Sequence, residues 1–181
     1  MNNLCIWVKM KDISSVTKLA GFEYSKYISP NLKKEGIPLF KGKNIQDSKV
    51  IYEFEDYIPL EVSNQLKRSQ VSSKCLLTPY VGTIGNVGIH DKPGIYHLGS
   101  NVGKIELIKG KESFIFEEYV FYYLKSLTGY LELTKSKKAT AQESISIEAI
   151  RETLIPIYSK EYQKRLIQRL NLIFSSVGTK S

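Results

Sequence analysis

The apolar pattern is most distinctive over residues 76–90, in the run LLTPYVGTIGNVGIH. Its valines, isoleucines and threonines favour extended structure, and Gly82, Gly85 and Gly88 recur at every third position. Glycine permits tight turns and the close approach of another surface, whereas Pro79, which lacks a backbone donor, suits a strand edge or bulge. The pattern predicts a strand, an irregular glycine-rich turn and a second strand. A glycine-rich hairpin that only shapes a β-domain is the simpler alternative.

Residues 116–127 carry the clearest helical pattern. Apolar residues fall at i, i+3, i+4, i+7, i+8 and i+11, which indicates an amphipathic helix that faces a core. Gly129 suits a helix stop. Weaker patterns predict strands at residues 4–10, 36–40, 95–107 and 154–157, and short helices at 12–16, 59–68, 130–133 and 146–152.

A longer helix is predicted at the C-terminus, from Ser159 to about residue 177. Its apolar residues follow the four-three-four spacing of a coiled-coil seam, widened by one aromatic residue. These seam residues are Leu166, Leu170, Ile173, Phe174 and Val177. Such a seam needs a partner surface unless the helix folds back on its own domain.

The elements together predict an α+β fold: a twisted, partly barrel-like sheet with flanking helices and a protruding C-terminal helix. The 181 residues suffice for one good core. We therefore place a binding domain at residues 1–157 and a separate helix at 158–181. Hydrophobic residues make up 42% of the chain, which is a globular value.

Charge and cysteine content restrict the function. The formal net charge is +8 and the pI about 9.3, which favours an anionic partner such as nucleic acid or an acidic protein surface. The two cysteines, Cys5 and Cys75, are far apart and lack metal-ligand spacing, so we expect no metal and a reduced, cytoplasmic protein. The apolar runs are too short for a membrane span or a signal peptide.

Enzymatic interpretations of the glycine-rich turn are weak. Its spacing is G-x-x-G-x-x-G rather than the G-x-G-x-x-G of a dinucleotide site, and no regular helix pattern follows. The tripeptide Thr78-Pro79-Tyr80 only partly matches the motif of amino-methyltransferases, because the acidic or amide residue and the second proline are missing.

Four polar loops carry groups that suit an anionic partner, and they are the candidate contact residues if that partner is a nucleic acid. Lysine suits phosphate as a point charge, while amide and hydroxyl side chains can read bases. The candidates are Lys41, Lys43 and Asn44 in the first loop, Tyr80 and Thr83 in the glycine turn, His97, Ser100 and Asn101 in the next loop, and Lys135, Lys137, Lys138 and Gln142 in the last. A charged hairpin tip and a solvated lysine loop are the structural alternatives for the first and last.

The order of segments resembles the DNA-specificity subunit of type I restriction-modification systems. The strand with Trp7 is followed by GIPLFKGKNI, LLTPYVGTIGNVGI, the helix at 116–127, a loop with serine and glutamine, and LIPIYSKEYQKRLIQRL. More narrowly, the chain resembles one target-recognition domain and the start of one spacer helix, which it enters through E-x-Q-x-x-x-I. It departs from the family at Lys74-Cys75, where Gly-Asp is common, and at the single Pro156, where a double proline is often seen.

The resemblance implies a non-catalytic protein that reads one half of a split target in duplex DNA. It also implies that spacer helices dock methyltransferase subunits and, through them, the restriction subunit. S-adenosylmethionine and ATP would then belong to those partners, with no cofactor on this chain. Family members carry two recognition domains, so we expect a half subunit, a truncated product or an excised domain, and two copies would pair through antiparallel C-terminal helices.

Two rival functions remain at this point. The basic surface would also suit a protein-binding or regulatory module with an acidic partner. A methyltransferase or nuclease is the second rival, and it would require activity from the chain alone.

Overall fold

The computed structural model describes residues 5–110, 115–137 and 143–178, with side chains up to residue 176. Strands are numbered β1–β12 and helices α1–α7 in chain order. The central sheet is antiparallel and contains β2 (Ser14–Lys18), β11 (Val102–Leu107), β8 (Cys75–Pro79) and β9 (Gly88–His90), neighbours in that order. Because these pairs are antiparallel, β11 starts beside the ends of its neighbours β2 and β8.

A second four-stranded sheet has the order β6 (Tyr57–Ile58), β3 (Ile37–Phe40), β10 (Tyr96–Leu98) and β7 (Gln70–Val71). Its β3 and β10 are parallel, and its other pairs are antiparallel. Two small ribbons complete the strands: β4 (Ile45–Gln46) with β5 (Lys49–Val50), and β1 (Ile6–Lys9) with β12 (Leu154–Ile157).

Helices flank the two sheets, which confirms the α+β class. They are α1 (Met10–Ile13), α2 (Gly21–Glu23), α3 (Leu60–Gln65), α4 (Glu117–Lys125), α5 (Leu127–Thr134), α6 (Ile147–Arg151) and α7 (Lys160–Gly178). A π-helical turn at Tyr24–Ile28 continues α2, and a 3-10 turn at Lys67–Ser69 follows α3. None of the described helices combines the length and the apolar composition that a membrane crossing needs.

Strand β8 separates two hydrophobic cores. Side chains alternate along a strand, so Leu76 enters a first core with α4, α5 and α6, while Cys75 and Leu77 enter a second core between the two sheets. Both faces of β8 are thus buried, which explains its continuous apolar sequence. Burial also raises the pKa of the Cys75 thiol to about 12, so that it remains a neutral core residue.

The strand–turn–strand prediction for residues 76–90 is confirmed. Gly82 and Gly85 adopt φ values of 86° and 87°, which favour glycine. Gly88 instead allows close approach, because a Cβ there would lie 2.8 Å from Cγ2 of Val50. The turn is thus fitted to the β4–β5 ribbon on one side.

Two local predictions are wrong. Residues 12–16 do not form a helix: Asp12 belongs to α1, where its carboxylate accepts from the Lys9 amide at 3.2 Å, and β2 begins at Ser14. Pairing with β11 decided the extended form. Gly129 does not end a helix either, because it lies inside α5, whose cap Ser126 accepts from the Gly129 amide at 3.2 Å.

The predicted C-terminal helix is present as α7, and its first half packs back on α4 and the first core. Gln163 is fully buried and donates to the Tyr158 carbonyl at 2.9 Å, while Leu166 is partly buried. Farther along, Phe174 stacks on Tyr122 with ring centroids 5.7 Å apart. Ile173 and Phe174 are still 55% and 58% exposed, so this part of the seam is open, and the side chain of Val177 lies outside the described residues.

Candidate nucleic-acid interface

Three of the candidate loops meet at one end of the central sheet, which we call the loop end. The Gly42 amide donates to the Ser100 carbonyl at 3.2 Å, and the Tyr80 amide donates to the Asn101 carbonyl at 3.1 Å. Backbone hydrogen bonds therefore link the first lysine loop, the glycine turn and the loop before β11. This arrangement follows from the topology, because β8 ends where β11 starts.

The base of the last lysine loop lies beside the same glycine turn. The Gly82 amide donates to the Glu143 carbonyl, and the Ile145 amide donates to the Tyr80 carbonyl, both at 2.9 Å. Lys137 pairs with the Glu143 carboxylate at 2.6 Å, which holds it at this end. Lys135 pairs instead with Glu132 of α5 at 2.9 Å. The candidates Lys138 and Gln142 lie outside the described residues.

Solvent access divides the remaining candidates. Lys43 and Thr83 are exposed, and Lys41, Tyr80, Ser100 and Asn101 are partly exposed. Asn101 has a φ of 65°, which asparagine tolerates better than most residues. In this conformation the Asn101 carbonyl accepts a hydrogen bond from the Tyr80 amide. Asn101 therefore both shapes the loop through its backbone and offers a side chain for contact.

Asn44 and His97 are buried and have structural roles. Asn44 is 3% exposed; its Oδ1 accepts from the Lys41 amide at 2.9 Å, and its Nδ2 donates to the carbonyls of Ile51 and Glu53. His97 is 0% exposed, with Nδ1 2.8 Å from the Leu98 carbonyl oxygen. Desolvation lowers the pKa of His97, which keeps the ring neutral in the core. We therefore omit both from the contact surface.

Every described lysine of the candidate set is paired with a carboxylate. Lys41 bonds Asp56 and Lys43 bonds Glu55, in addition to the Glu132 and Glu143 pairs. The Lys43, Lys135 and Lys137 pairs are substantially solvent-exposed, and such pairs contribute little to stability. A phosphate can therefore replace these three carboxylates at little cost, whereas Lys41 and Asp56 are each only 23% exposed. The Lys43 ammonium holds the pKa of Glu55 below its usual range, so Glu55 is charged at neutral pH.

Lys18 is a cation at the loop end that the sequence reasoning missed. It ends β2 opposite Gly103, and its Nζ lies 5.1 Å from the ring centroid of Tyr80. Within residues 5–110, 115–137 and 143–178 it has no carboxylate within 4 Å. The alternation of SSVTK would have revealed it as the end of a strand, had residues 12–16 been interpreted as extended.

The opposite end of β11 has a different chemistry, and we call it the helix end. There β1, α4 and α7 enclose an apolar groove of about 540 Å³. Trp7 packs edge-to-face on Tyr123 at 6.3 Å, and burial raises the pKa of Tyr123 to about 12. Across the groove, Leu166 and Leu170 line the α7 wall.

No group of three or more histidine, cysteine, aspartate or glutamate side chains suited to hold a metal ion occurs among the residues that the structure describes. Both cysteines are free thiols.

Fold and surface together define a class: an α+β recognition domain with a loop face at one end of its sheet and a long helix on its flank. The chain belongs to the family of type I restriction modification DNA specificity domains, whose model matches residues 7–177. That match covers nearly all of the described structure.

Two curated relatives are specificity subunits of type I restriction enzymes. The EcoBI subunit of Escherichia coli is 25% identical over 142 residues, which cover 78% of this chain and 29% of the relative. The MjaVIII subunit of Methanocaldococcus jannaschii is 26% identical over 180 residues, which cover 96% of this chain and 40% of the relative. The chain thus spans well under half the length of either.

Solved structures share the fold. The S subunit of M. genitalium superposes with a TM-score of 0.64 at 14% identity, over 98% of this chain and 41% of that one. The HsdS subunit of Thermoanaerobacter tengcongensis gives a TM-score of 0.67 at 17% identity, over 97% of this chain and 38% of its own. At these identities the likeness concerns the fold alone.

Proposed function

We propose that this domain reads one half of a split target in duplex DNA, and that its loop end makes the contact. The observation that supports this most directly is the convergence of four loops whose described lysines, together with the Asn101 amide, are at least partly exposed. The lysines bind phosphates and so orient the duplex, while the side chains of Asn101 and Ser100 discriminate between bases. The positive net charge gives the long-range attraction that such binding needs.

Selection of a random duplex library by the purified chain tests this proposal. Enrichment of one short motif is the expected result. The Asn101→Gly variant removes the side chain while it tolerates the φ of 65°, so it should change the preferred bases without backbone strain. Lys41→Ala should weaken binding to all sequences alike. Unchanged base preference in Asn101→Gly would remove this residue from the reading surface.

The chain's own chemistry in this proposal is binding, not catalysis. The loop end would position DNA, and methyl transfer and cleavage would occur on partner subunits that carry S-adenosylmethionine and ATP. A solved structure that concerns complex assembly and conformational transition of the type I restriction-modification system shares the fold, with a TM-score of 0.69 at 16% identity over 97% of this chain and 39% of that one. A purified chain with no methyltransferase or nuclease activity on the selected duplex is the expected outcome.

The helix end is the proposed partner side. Helix α7 presents Arg165 and Arg169 on its outer face and leaves Ile173 and Phe174 partly uncovered. An apolar contact rimmed by cations suits a methyltransferase subunit with an acidic rim. Co-purification with such a subunit, lost in an Ile173→Asp variant that still binds DNA, would support this assignment.

Pairing of two copies is a separate proposal for the same surface. The second half of the seam is available for an antiparallel contact, but the first half is already used within the domain. Light scattering at high protein concentration tests this. A dimer that Phe174→Asp converts to a monomer is expected, and a monomer at every concentration would contradict the pairing.

A further inference from the structure

A second basic feature adjoins the loop end, along the open edge of the central sheet. Strand β2 is an edge strand, and a cleft of about 350 Å³ follows its outer side. Helix α6 forms one wall, and the turn at Lys67–Ser69 contributes to the other. Three cations line this cleft: Lys18, Arg68 and Arg151.

Arg151 is held in place by the sheet itself. Its Nη2 donates to the Val16 carbonyl at 2.9 Å, on the open edge of β2. Its Nη1 lies 3.3 Å from the Glu148 carboxylate, which is the long end of an ion pair. Because a guanidinium has five N–H donors, donors remain for an oxyanion in the cleft. The side chain is thus oriented before any ligand arrives.

Arg68 faces the cleft from the opposite side and is 65% exposed. Its contacts with the two oxygens of Glu23 are long, at 3.3 and 3.4 Å. Glu23 is meanwhile held by the Ala20 amide, which donates to it at 2.9 Å. Glu23 therefore keeps a hydrogen-bond partner if Arg68, the more exposed member of the pair, turns to another oxyanion.

Cations outnumber carboxylates in the cleft. Lys18, Arg68 and Arg151 face Glu23 and Glu148, and Lys18 has no carboxylate partner among the described residues. The exposed Ser15 hydroxyl adds a neutral donor. Two planar guanidinium groups, one ammonium and one hydroxyl are a donor set that suits phosphodiester oxygens.

Lys18 joins this cleft to the loop end, since its ammonium lies over the Tyr80 ring at 5.1 Å. We infer that the cleft along β2 binds the phosphate backbone of the same duplex that the loop end reads, beside the bases in contact with Asn101 and Tyr80. This inference rests on the proposed DNA-reading function. It implies that the duplex extends from the loop end along strand β2. Lys18, Arg68 and Arg151 then position the duplex and do not select its bases.

The test is a titration of the full chain with the duplex selected from the library, over a series of salt concentrations. The double variant Lys18→Ala, Arg68→Gln removes two cations that support no core contact. Lys164→Ala, an exposed lysine of α7, is the matched control. The double variant should lower the slope of log affinity on log salt by about 1.8, at roughly 0.9 per phosphate contact. The control should leave the slope unchanged.

A second measurement locates the contact on the DNA. Single phosphates of the duplex are replaced by neutral methylphosphonates. One or two replacements should weaken binding of the unaltered chain and have no further effect on the double variant. Equal melting temperatures of the unaltered chain, the double variant and Lys164→Ala would show that the fold is retained. Arg68→Lys keeps the charge but loses the planar guanidinium, so its DNA affinity should lie between those of the unaltered chain and the double variant.

The outcomes separate the two proposals. If the unaltered chain binds the duplex and the double variant matches Lys164→Ala in slope and methylphosphonate response, the cleft assignment is wrong and DNA reading by the loops stands. If the unaltered chain enriches no duplex and shows no salt-dependent binding, DNA reading fails, and the cleft assignment fails with it.

Discussion

The two ends of strand β11 place opposite chemistries on one small domain. At the loop end, beside Val102, the exposed groups are cations, amides and hydroxyls on turns linked by backbone hydrogen bonds. At the helix end, beyond Leu107, they are aromatic and aliphatic side chains on β1, α4 and α7. The first surface suits a hydrated polyanion, and the second suits another protein.

The ends also differ in how they are held before a partner binds. Apart from Lys18, the described cations of the loop end have carboxylate partners that a phosphate can displace, so this surface already has its charged groups in place before DNA binds. The groove at the helix end is already narrowed by Leu166 and Phe174, so that surface is prepared by packing. This difference predicts that the two ends can be disabled separately, unless a residue that both share is changed.

The largest effect should come from Gly129→Ala, because the α4–α5 junction serves both ends. A Cβ at residue 129 would lie 2.6 Å from the Tyr123 carbonyl carbon, a backbone atom that cannot move alone. Helix α4 supports α7, while Tyr130 of α5 packs on Gly85 of the glycine turn. We expect a loss of about 3 kcal/mol in unfolding free energy, or roughly 6–12 °C in melting temperature.

Gly110→Ala is the control for this prediction, since no atom of the described residues lies within 4 Å of a Cβ at that position. It should change the melting temperature by no more than about 2 °C. A Gly129→Ala protein as stable as this control would show that the junction is not a shared support.

Leu166→Ala should weaken only the helix end. The side chain is partly buried against the first core and lines the groove, so its truncation should cost about 1–2 kcal/mol. Amide exchange should accelerate in α7. Affinity for DNA should stay within twofold, which corresponds to a change in binding free energy of roughly 0.4 kcal/mol. Leu172→Ala, 71% exposed on the same helix, should be within about 0.5 kcal/mol of the parent. Equal loss of DNA binding would contradict the independence of the two ends.

Sequence periodicity predicted those parts of the fold that local pattern determines. The helix at 116–127, the glycine turn and the C-terminal helix were recognisable because each buries one face of a regular repeat. Strand β2 was not, since its polar SSVTK sequence becomes extended only through pairing with β11. The cleft residues Arg68 and Arg151 were missed for a related reason: the fold brings them together from distant positions.

The candidate contacts were predictable by chemical type but not by burial. Asn44 and Asn101 look alike in sequence, as amides beside glycine-containing polar loops. The fold makes Asn44 a buried bracket for its own turn and leaves Asn101 partly exposed. His97 is likewise fully buried, on a strand that pairs with both β3 and β7. Only long-range pairing distinguishes such residues.

Mild acid should loosen the strands around His90 and His97, both fully buried, before it loosens the Glu152 contacts at the helix end. Burial lowers the pKa values of His90 and His97 from 6.5. The unfolded chain therefore binds more protons as pH falls below 6.5, and stability decreases through that window. At the helix end Glu152, held by Lys11 and Lys9, has its pKa lowered to about 2, so its contribution is lost only between the ordinary value of 4.5 and about 2.

Hydrogen exchange at pH 7.5 and 5.5, corrected for the intrinsic exchange rate, measures this difference. The two pH values lie about one unit above and below the unperturbed histidine pKa, so they span its titration. Exchange should increase in β3 and β10 and remain unchanged in β1 and α1. The reverse order would place the acid-sensitive contacts at the helix end.

The smallest expected effect is a gain of DNA affinity in Glu55→Gln. Glu55 is 69% exposed and occupies Lys43, so a phosphate must first displace it. The amide removes both this competition and a charge that repels DNA, while the melting temperature should not change measurably, because the pair is exposed. Affinity should rise about two- to fivefold at low salt, and the gain should shrink as salt screens the charges.

Glu161→Gln, on α7, removes the same charge at the helix end and is the matched control. If both variants gain equally, the effect is one of net charge and Lys43 makes no particular contact. If only Glu55→Gln gains, carboxylates at the loop end act as place-holders for phosphate, which is what distinguishes that end from the groove.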